Sequence, residues 1–216
     1  YIKTTLHLEI VIDSIITLHY LLYMKDFVFR GEAHDFWEFL YVDKGTVSVR
    51  SDDRWLTLNT GDVIFHKPNE FHAIKSIGKN APNLVAISFT SHSEGMKYFE
   101  NMSCTLDKSE RYLISQIITE AKDTFSTPIH IPSVEQVLLR EKTPFASQQL
   151  ILLYLELFLI TVHRNHQSIH ALGASSERLR PTKHFQLDTV AAESLENSDE
   201  KDSSKNILCQ IFFRLY

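Results

Sequence analysis

Between residues 39 and 65 the chain alternates short apolar runs with turn-forming residues, and this rhythm restricts the fold more than any other feature of the sequence. Phe39-Leu40-Tyr41-Val42 leads to Asp43-Lys44-Gly45, Thr46-Val47-Ser48-Val49 to Ser51-Asp52-Asp53, and Trp55-Leu56-Thr57-Leu58 to Asn59-Thr60-Gly61-Asp62 before Val63-Ile64-Phe65. Runs of this length, rich in β-branched and aromatic residues and broken by Gly, Asn and Asp, read as consecutive antiparallel strands. The pattern predicts a β-barrel or sandwich.

The flanks extend it. Over residues 8–22 the even positions are almost all apolar, while Glu9, Asp13, Thr17 and His19 fall on the odd face, which predicts one or two opening strands. His19 and Asp13 there face either a ligand cavity or solvent. Residues 73–76 continue a strand from His72, residues 78–83 form a loop, and residues 84–89 form another strand with which the barrel can close. From Asp107 the period changes: Asp107 and Glu110 have capping-box spacing, and Ile114, Ile117, Ile118, Ala121 and Phe125 follow a helical stripe. Residues 127–144 read as a loop with three prolines and one short helical turn near residues 134–139. A second helix begins at Ser147; over residues 148–162 it is apolar on nearly every side, yet too short and, with Glu156, too polar to span a bilayer. Either it is wholly internal, or the barrel covers one face and a partner the other.

Two carboxylates and two imidazoles flank the strand series. If residues 32–38 form one strand, Glu32, His34, Phe36 and Glu38 share a face and Trp37 lies opposite. His72 opens a later strand. This arrangement resembles the two signature motifs of the cupin barrel: His34, Glu38 and Gly45 match the second His, the Glu and the glycine of the first motif, with Glu32 where its first His would stand. Gly61 and His72 match the second motif, with Lys67 and Asn69 in the usual proline and glycine places and Ser76 in place of a terminal Asn. His-Asp-Phe-Trp-Glu, Val-Asp-Lys-Gly and Gly-Asp-Val-Ile-Phe-His-Lys-Pro-Asn-Glu-Phe-His resemble more closely still the N-terminal effector-binding domain of AraC-type transcriptional regulators.

That resemblance implies a mainly β fold with α: an antiparallel, cupin-like (jelly-roll) barrel over residues 1–100, then helices over residues 101–165 that mediate a homodimer. It implies a small-molecule effector, such as a sugar, bound by Glu32, His34, Phe36, Glu38, Leu40 and His72. Leu152, Leu155 and Leu159 are the expected dimer-interface residues. Carboxylates and imidazoles suit a hydroxyl-rich ligand, because each can bond to a hydroxyl while aromatic faces cover a ring. No catalytic residue and no cofactor are expected. The alternative is a cupin enzyme, an isomerase or dioxygenase, with Fe, Mn or Zn on Glu32, His34, Glu38 and His72, since imidazole and carboxylate ligands suit those metals.

Charge and composition narrow the partners. Lys and Arg total 22 against 27 Asp and Glu, a net charge of −5, whereas a duplex-binding surface carries a basic excess or stripe. DNA is therefore expected only through a domain missing from this chain. Residues 166–206 turn polar and read as a linker; residues 207–216 are either the start of a DNA-binding domain or an unrelated end. Cys104 and Cys209 lie far apart with no CxxC pairing, which fits a reducing compartment. No leader peptide is evident, no membrane span is expected, and the cytoplasm is the expected location.

Overall fold

The computed structural model describes residues 1–23, 26–77 and 79–172, with side chains to residue 167. Among the described residues nine strands make two antiparallel sheets. One is ordered β1 (Ser14–Leu22), β8 (Asn83–Thr90), β3 (Trp37–Lys44), β6 (Asp62–His66) and β9 (Ser103–Thr105). The other is ordered β2 (Val28–Glu32), β7 (His72–Ser76), β4 (Thr46–Ser51) and β5 (Arg54–Asn59). The expected mainly β, antiparallel, cupin-like architecture followed by helices is what forms. Residues 8–13 precede β1 without being a strand, and Leu8 is exposed.

Strand parity divides the apolar residues between two cores. Leu40, Val42, Ile64, Leu84 and Ala86 from the first sheet meet Val47, Val49, Leu58 and Ile74 from the second, and fill the space between the sheets. Trp37, Phe39, Tyr41, Phe65 and Phe89 point the other way, onto α1 (Lys108–Thr124) and α2 (Ser147–Leu172). The first sheet is thus a wall with an apolar layer on each face, and so its strands read as nearly continuous apolar runs.

Asp107 caps α1 as its spacing predicts: its side chain accepts from the Glu110 N–H, and Glu110 Oε2 accepts from the Asp107 N–H at 2.8 Å. Glu110 is fully buried, and its other oxygen accepts from Asn165 Nδ2 at 3.0 Å and lies 3.3 Å from His166 Nε2. That clasp keeps α2 helical past residue 166, where the polar linker is expected to begin; α2 runs to Leu172. The remainder of the expected linker and residues 207–216 lie outside the described residues.

The segment after α1 forms no helical turn at residues 134–139. Its backbone bonds instead to the edge of β1, Tyr20 N–H to the Ile129 carbonyl at 2.8 Å and Val137 N–H to the Ile16 carbonyl at 3.3 Å. Pro128 and Pro132 suit an extended edge segment better than a helix.

Phe158 ties α2 to the wall, with ring centroids 5.0 Å from Phe39 and 6.4 Å from Phe65. It is fully buried. Phe158→Ala should lower folding stability by about 3–5 kcal/mol in urea unfolding; a loss below about 1 kcal/mol would mean that the helix does not depend on this packing.

Candidate functional site

The aliphatic filling stops one row short of the barrel end. Moving two residues along each strand from Leu40, Ile64 and Ala86, and from Val49 and Ile74, leads to Glu38, His66, Ser88, Ser51 and His72. The strand register aligns them: Thr17 with Ser88, Ser88 with Glu38 and Glu38 with His66 across one sheet. Glu32 with His72 and His72 with Ser51 align across the other. Because side chains alternate with period two, this row faces the barrel interior just as the aliphatic row below it does. A polar layer therefore crosses the mouth.

Glu32 and Glu38 reach it from different sheets. The expectation of a single strand over residues 32–38 does not hold: β2 ends at Glu32, β3 begins at Trp37, and the chain turns a corner between them. Convergence comes from that crossing. Gly31 makes it possible. Its φ is +109°, where glycine is unhindered, and a Cβ there would collide with the Phe71 ring and stand 2.7 Å from the His72 carbonyl oxygen. On the opposite turn Asn69 adopts φ +65°, a left-handed conformation that Asn tolerates, and so it serves where the resembling motif has glycine. Its N–H donates to the His34 carbonyl at 2.6 Å, tying this turn to the corner.

Four side chains converge there. Glu32, His34, Glu38 and His72 each offer one ligand atom, all within 4.8 Å of one another. His72 Nε2 lies 3.6 Å from Glu38 Oε1 and 3.8 Å from Glu32 Oε1, and His34 Nε2 lies 3.9 Å from Glu38 Oε2. The His72 and Glu38 side chains are 1% and 11% exposed, but Glu32 is 54% exposed and stands at the opening. His34 Nδ1 donates to the Phe36 carbonyl at 3.0 Å and His72 Nδ1 to the Glu70 carbonyl at 3.3 Å. Both rings then turn Nε2 toward the cluster, buried and without a hydrogen-bond partner among the described residues.

Behind His72 lies a clasp that the motif comparison passed over. His66, fully buried, stacks on His72 with centroids 4.4 Å apart. Its Nδ1 donates to Glu70 Oε1 at 2.8 Å, and Ser51 Oγ donates to the same oxygen at 2.5 Å. Burial alone would raise the Glu70 carboxyl, but the bonds from His66 and Ser51 and the His66 charge bring it below the ordinary carboxylate value. Glu38 is held in turn by Ser88, which donates at 2.7 Å and accepts from Thr17 at 2.9 Å. Parity signals these residues: His66, Ser51 and Ser88 each sit two places beyond an inward aliphatic residue.

Of the other expected ligand residues, Phe36 is half-buried and stacks on His34 with centroids 3.8 Å apart. It also lines a small cleft of about 160 Å³ with Asp35, Trp37, Pro68 and Thr90. Leu40 is 1% exposed in the aliphatic filling, so it is floor rather than wall. Of the three expected interface residues, Leu155 and Leu159 are fully buried in this chain's own core and Leu152 is half-buried against it; among the described side chains of α2 the exposed apolar ones are Leu153 and Leu157.

Burial, with the like-charged neighbours His66 and His34, pushes the His72 imidazole below its ordinary value near 6.5 despite the Glu38 charge. Burial likewise lowers His19, which lines the barrel interior opposite Ala86. Glu32 moves up, by burial and by the adjacent Glu38 charge. For the two histidines the unfolded chain binds the proton first, so stability is greatest above about pH 6.5 and declines as pH falls below it. Urea midpoints measured from about pH 7.5 to about pH 5.5 should fall, and His19→Leu should flatten the slope; a midpoint that rises on acidification would contradict this account.

Among the described residues no helix is long and apolar enough to cross a membrane. No curated protein matches the chain. Solved structures to which the chain is similar include the cupin domain of Schizosaccharomyces pombe Cnp3, at 15% identity over 34% of this chain and 48% of that one, TM-score 0.29. They also include HppE in its Fe(II) form, at 26% identity over 28% of this chain and 34% of that one, TM-score 0.27. A third is apo ToxT of Vibrio cholerae, at 9% identity over 70% of this chain and 56% of that one, TM-score 0.45. The chain spans between about a third and just over half the length of these structures. The family model described as the AraC-like ligand binding domain matches residues 20–184, which is most of the sequence, and the chain belongs to that family.

Proposed function

We propose that this chain is the effector-sensing and dimerising part of a transcriptional regulator acting in the cytoplasm, without catalytic activity of its own. A small molecule rich in hydrogen-bond donors, such as a sugar, binds at the barrel mouth, and a DNA-binding domain beyond this sequence carries the response. The supporting observation is the layer of Glu32, His34, Glu38 and His72 in a domain of the AraC-like ligand-binding family: the buried Nε2 atoms of His34 and His72, without a partner among the described residues, are what a donor-bearing ligand completes. A ligand that binds only the folded state raises the unfolding temperature. A thermal-shift screen of sugars should therefore find a stabiliser whose effect is lost in Glu38→Gln; a screen in which every shift survives that substitution would place binding elsewhere.

Dimerisation belongs to the outward stripe of α2 in this reading. Ile151, Leu155, Phe158 and Val162 face the core, while Leu153 and Leu157, one turn apart, are 49% and 48% exposed, with Leu150 and Ile160 flanking them. Paired aliphatic residues on a solvent face mark association. Leu157→Glu should convert a dimer to a monomer in sedimentation equilibrium and remove the concentration dependence of the unfolding midpoint. A chain already monomeric at high concentration would overturn the assignment.

A specific observation also favours a metal. The same four side chains form a group of mixed imidazole and carboxylate ligands, two of whose nitrogens are buried and unpartnered, which fits Fe, Mn or Zn. Bound there, such an ion would supply Lewis-acid chemistry, with His72 and His34 oriented by their Nδ1 bonds. Metal analysis of purified protein separates the two readings: a stoichiometric transition metal lost in His72→Ala favours the enzyme.

A further inference from the structure

The inference drawn here rests on the effector-site reading and concerns the chemical group that enters the mouth. Every atom aimed at the centre of the cluster is an acceptor. His34 and His72 have committed Nδ1–H to carbonyl oxygens, so each neutral ring presents the Nε2 lone pair. Glu38 Oε2 is engaged by Ser88, and Glu38 Oε1 and Glu32 Oε1 both face His72 Nε2, at 3.6 and 3.8 Å. These distances exceed hydrogen-bond contact, and no donor stands among the four side chains. Acceptors held this close repel one another until something with protons or positive charge lies between them.

We propose that the effector presents a primary ammonium group to Glu32, Glu38 and His72. A carboxylate or phosphate would add acceptors to acceptors. A hydroxyl brings one donor together with its own lone pairs, whereas an ammonium brings three donors from one atom, and no acceptor. Its charge matches the two carboxylates, and charge-assisted bonds of this kind are the stronger ones.

An ammonium and a metal ask for different spacings. Around an ammonium nitrogen with bonds of about 2.8 Å, neighbouring acceptors stand ~4–4.7 Å apart; around a first-row metal with bonds of about 2.1 Å they stand ~3.0–3.4 Å apart. The separations found, 3.6, 3.8 and 3.9 Å with the whole set within 4.8 Å, lie between the two ranges, so an ammonium enters with an outward shift of a few tenths of an ångström. The aliphatic filling lies below the cluster, so the rest of the molecule lies outward over Phe36 and its adjoining cleft. The effector class is a small primary amine, aminated sugars included.

The head group can be tested without knowing the remainder. Methylammonium chloride is titrated into the purified chain while the imidazole Nε2 resonances of His34 and His72 are followed by NMR. Tetramethylammonium chloride, with charge but no donors, and methanol, with a donor but no charge, are run alongside. Methylammonium alone should shift both resonances saturably, and Glu38→Gln should weaken it by about tenfold or more. Glu32→Gln, at a half-exposed position that folding tolerates, should weaken it in the same direction. An equal response to methanol overturns the ammonium and leaves the effector site standing; an equal response to tetramethylammonium, or none to methylammonium, also overturns it. The sugar screen with Glu38→Gln decides the underlying site independently.

Discussion

The structure depends on one constraint, the strand register that puts Glu38, His66, Ser88, Ser51 and His72 in a single row above a filled aliphatic interior. Buried polar groups need partners, and a row that spans both sheets lets them partner one another across the barrel. Ser88 reaches Glu38 along one sheet, and Ser51 reaches Glu70, which carries the contact to His66 on the other side. A one-residue slip in β3 or β7 would exchange Glu38 for Trp37 or His72 for Ala73 at the mouth and send the charges into the apolar layers outside. The hydrophobic pattern that sets the register thereby sets the site.

Much of this was legible in the sequence because it depends on short-range signals. The strands between Phe39 and Phe65, the turns at Gly45 and Gly61 and the box at Asp107 and Glu110 each follow from residues within a few places of one another. The meeting of Glu32, His34, Glu38 and His72 was also reached, though partly by the wrong route: parity within one strand was assumed, and a corner between two sheets produced the same result. Glu70 was missed because its partners Ser51 and His66 come from two different sheets, and no local pattern marks a loop carboxylate as buried. The depth of Leu40 went unread for a related reason, since an inward position does not reveal how far below the opening it lies.

Helix α2 shows a different limit. Its side chains are apolar on nearly all sides, so the sequence carries no phase from which to separate the face that meets the sheet from the face that does not. Leu155 and Leu159 could not be told from Leu153 and Leu157 until Phe39 and Phe65 fixed where Phe158 sits. Even Glu156, the one charge in the run, was uninformative alone; in the structure its Oε1 accepts from the Ile12 N–H at 3.1 Å and anchors the segment before β1.

Separating the two apolar layers also separates stability from recognition. Three imidazole nitrogens of the mouth, on His34, His66 and His72, are buried without partners among the described residues, and each such group opposes folding by about 1–3 kcal/mol. The aliphatic filling is small, so the offset comes from the far side of the wall, where Phe39, Phe65, Phe89, Phe99 and Phe158 are all fully buried. Aromatic side chains of this size dominate core energetics. The mouth can therefore remain unsatisfied in the folded chain, open to a donor, because the layer that holds the fold together lies on the opposite face of the same strands.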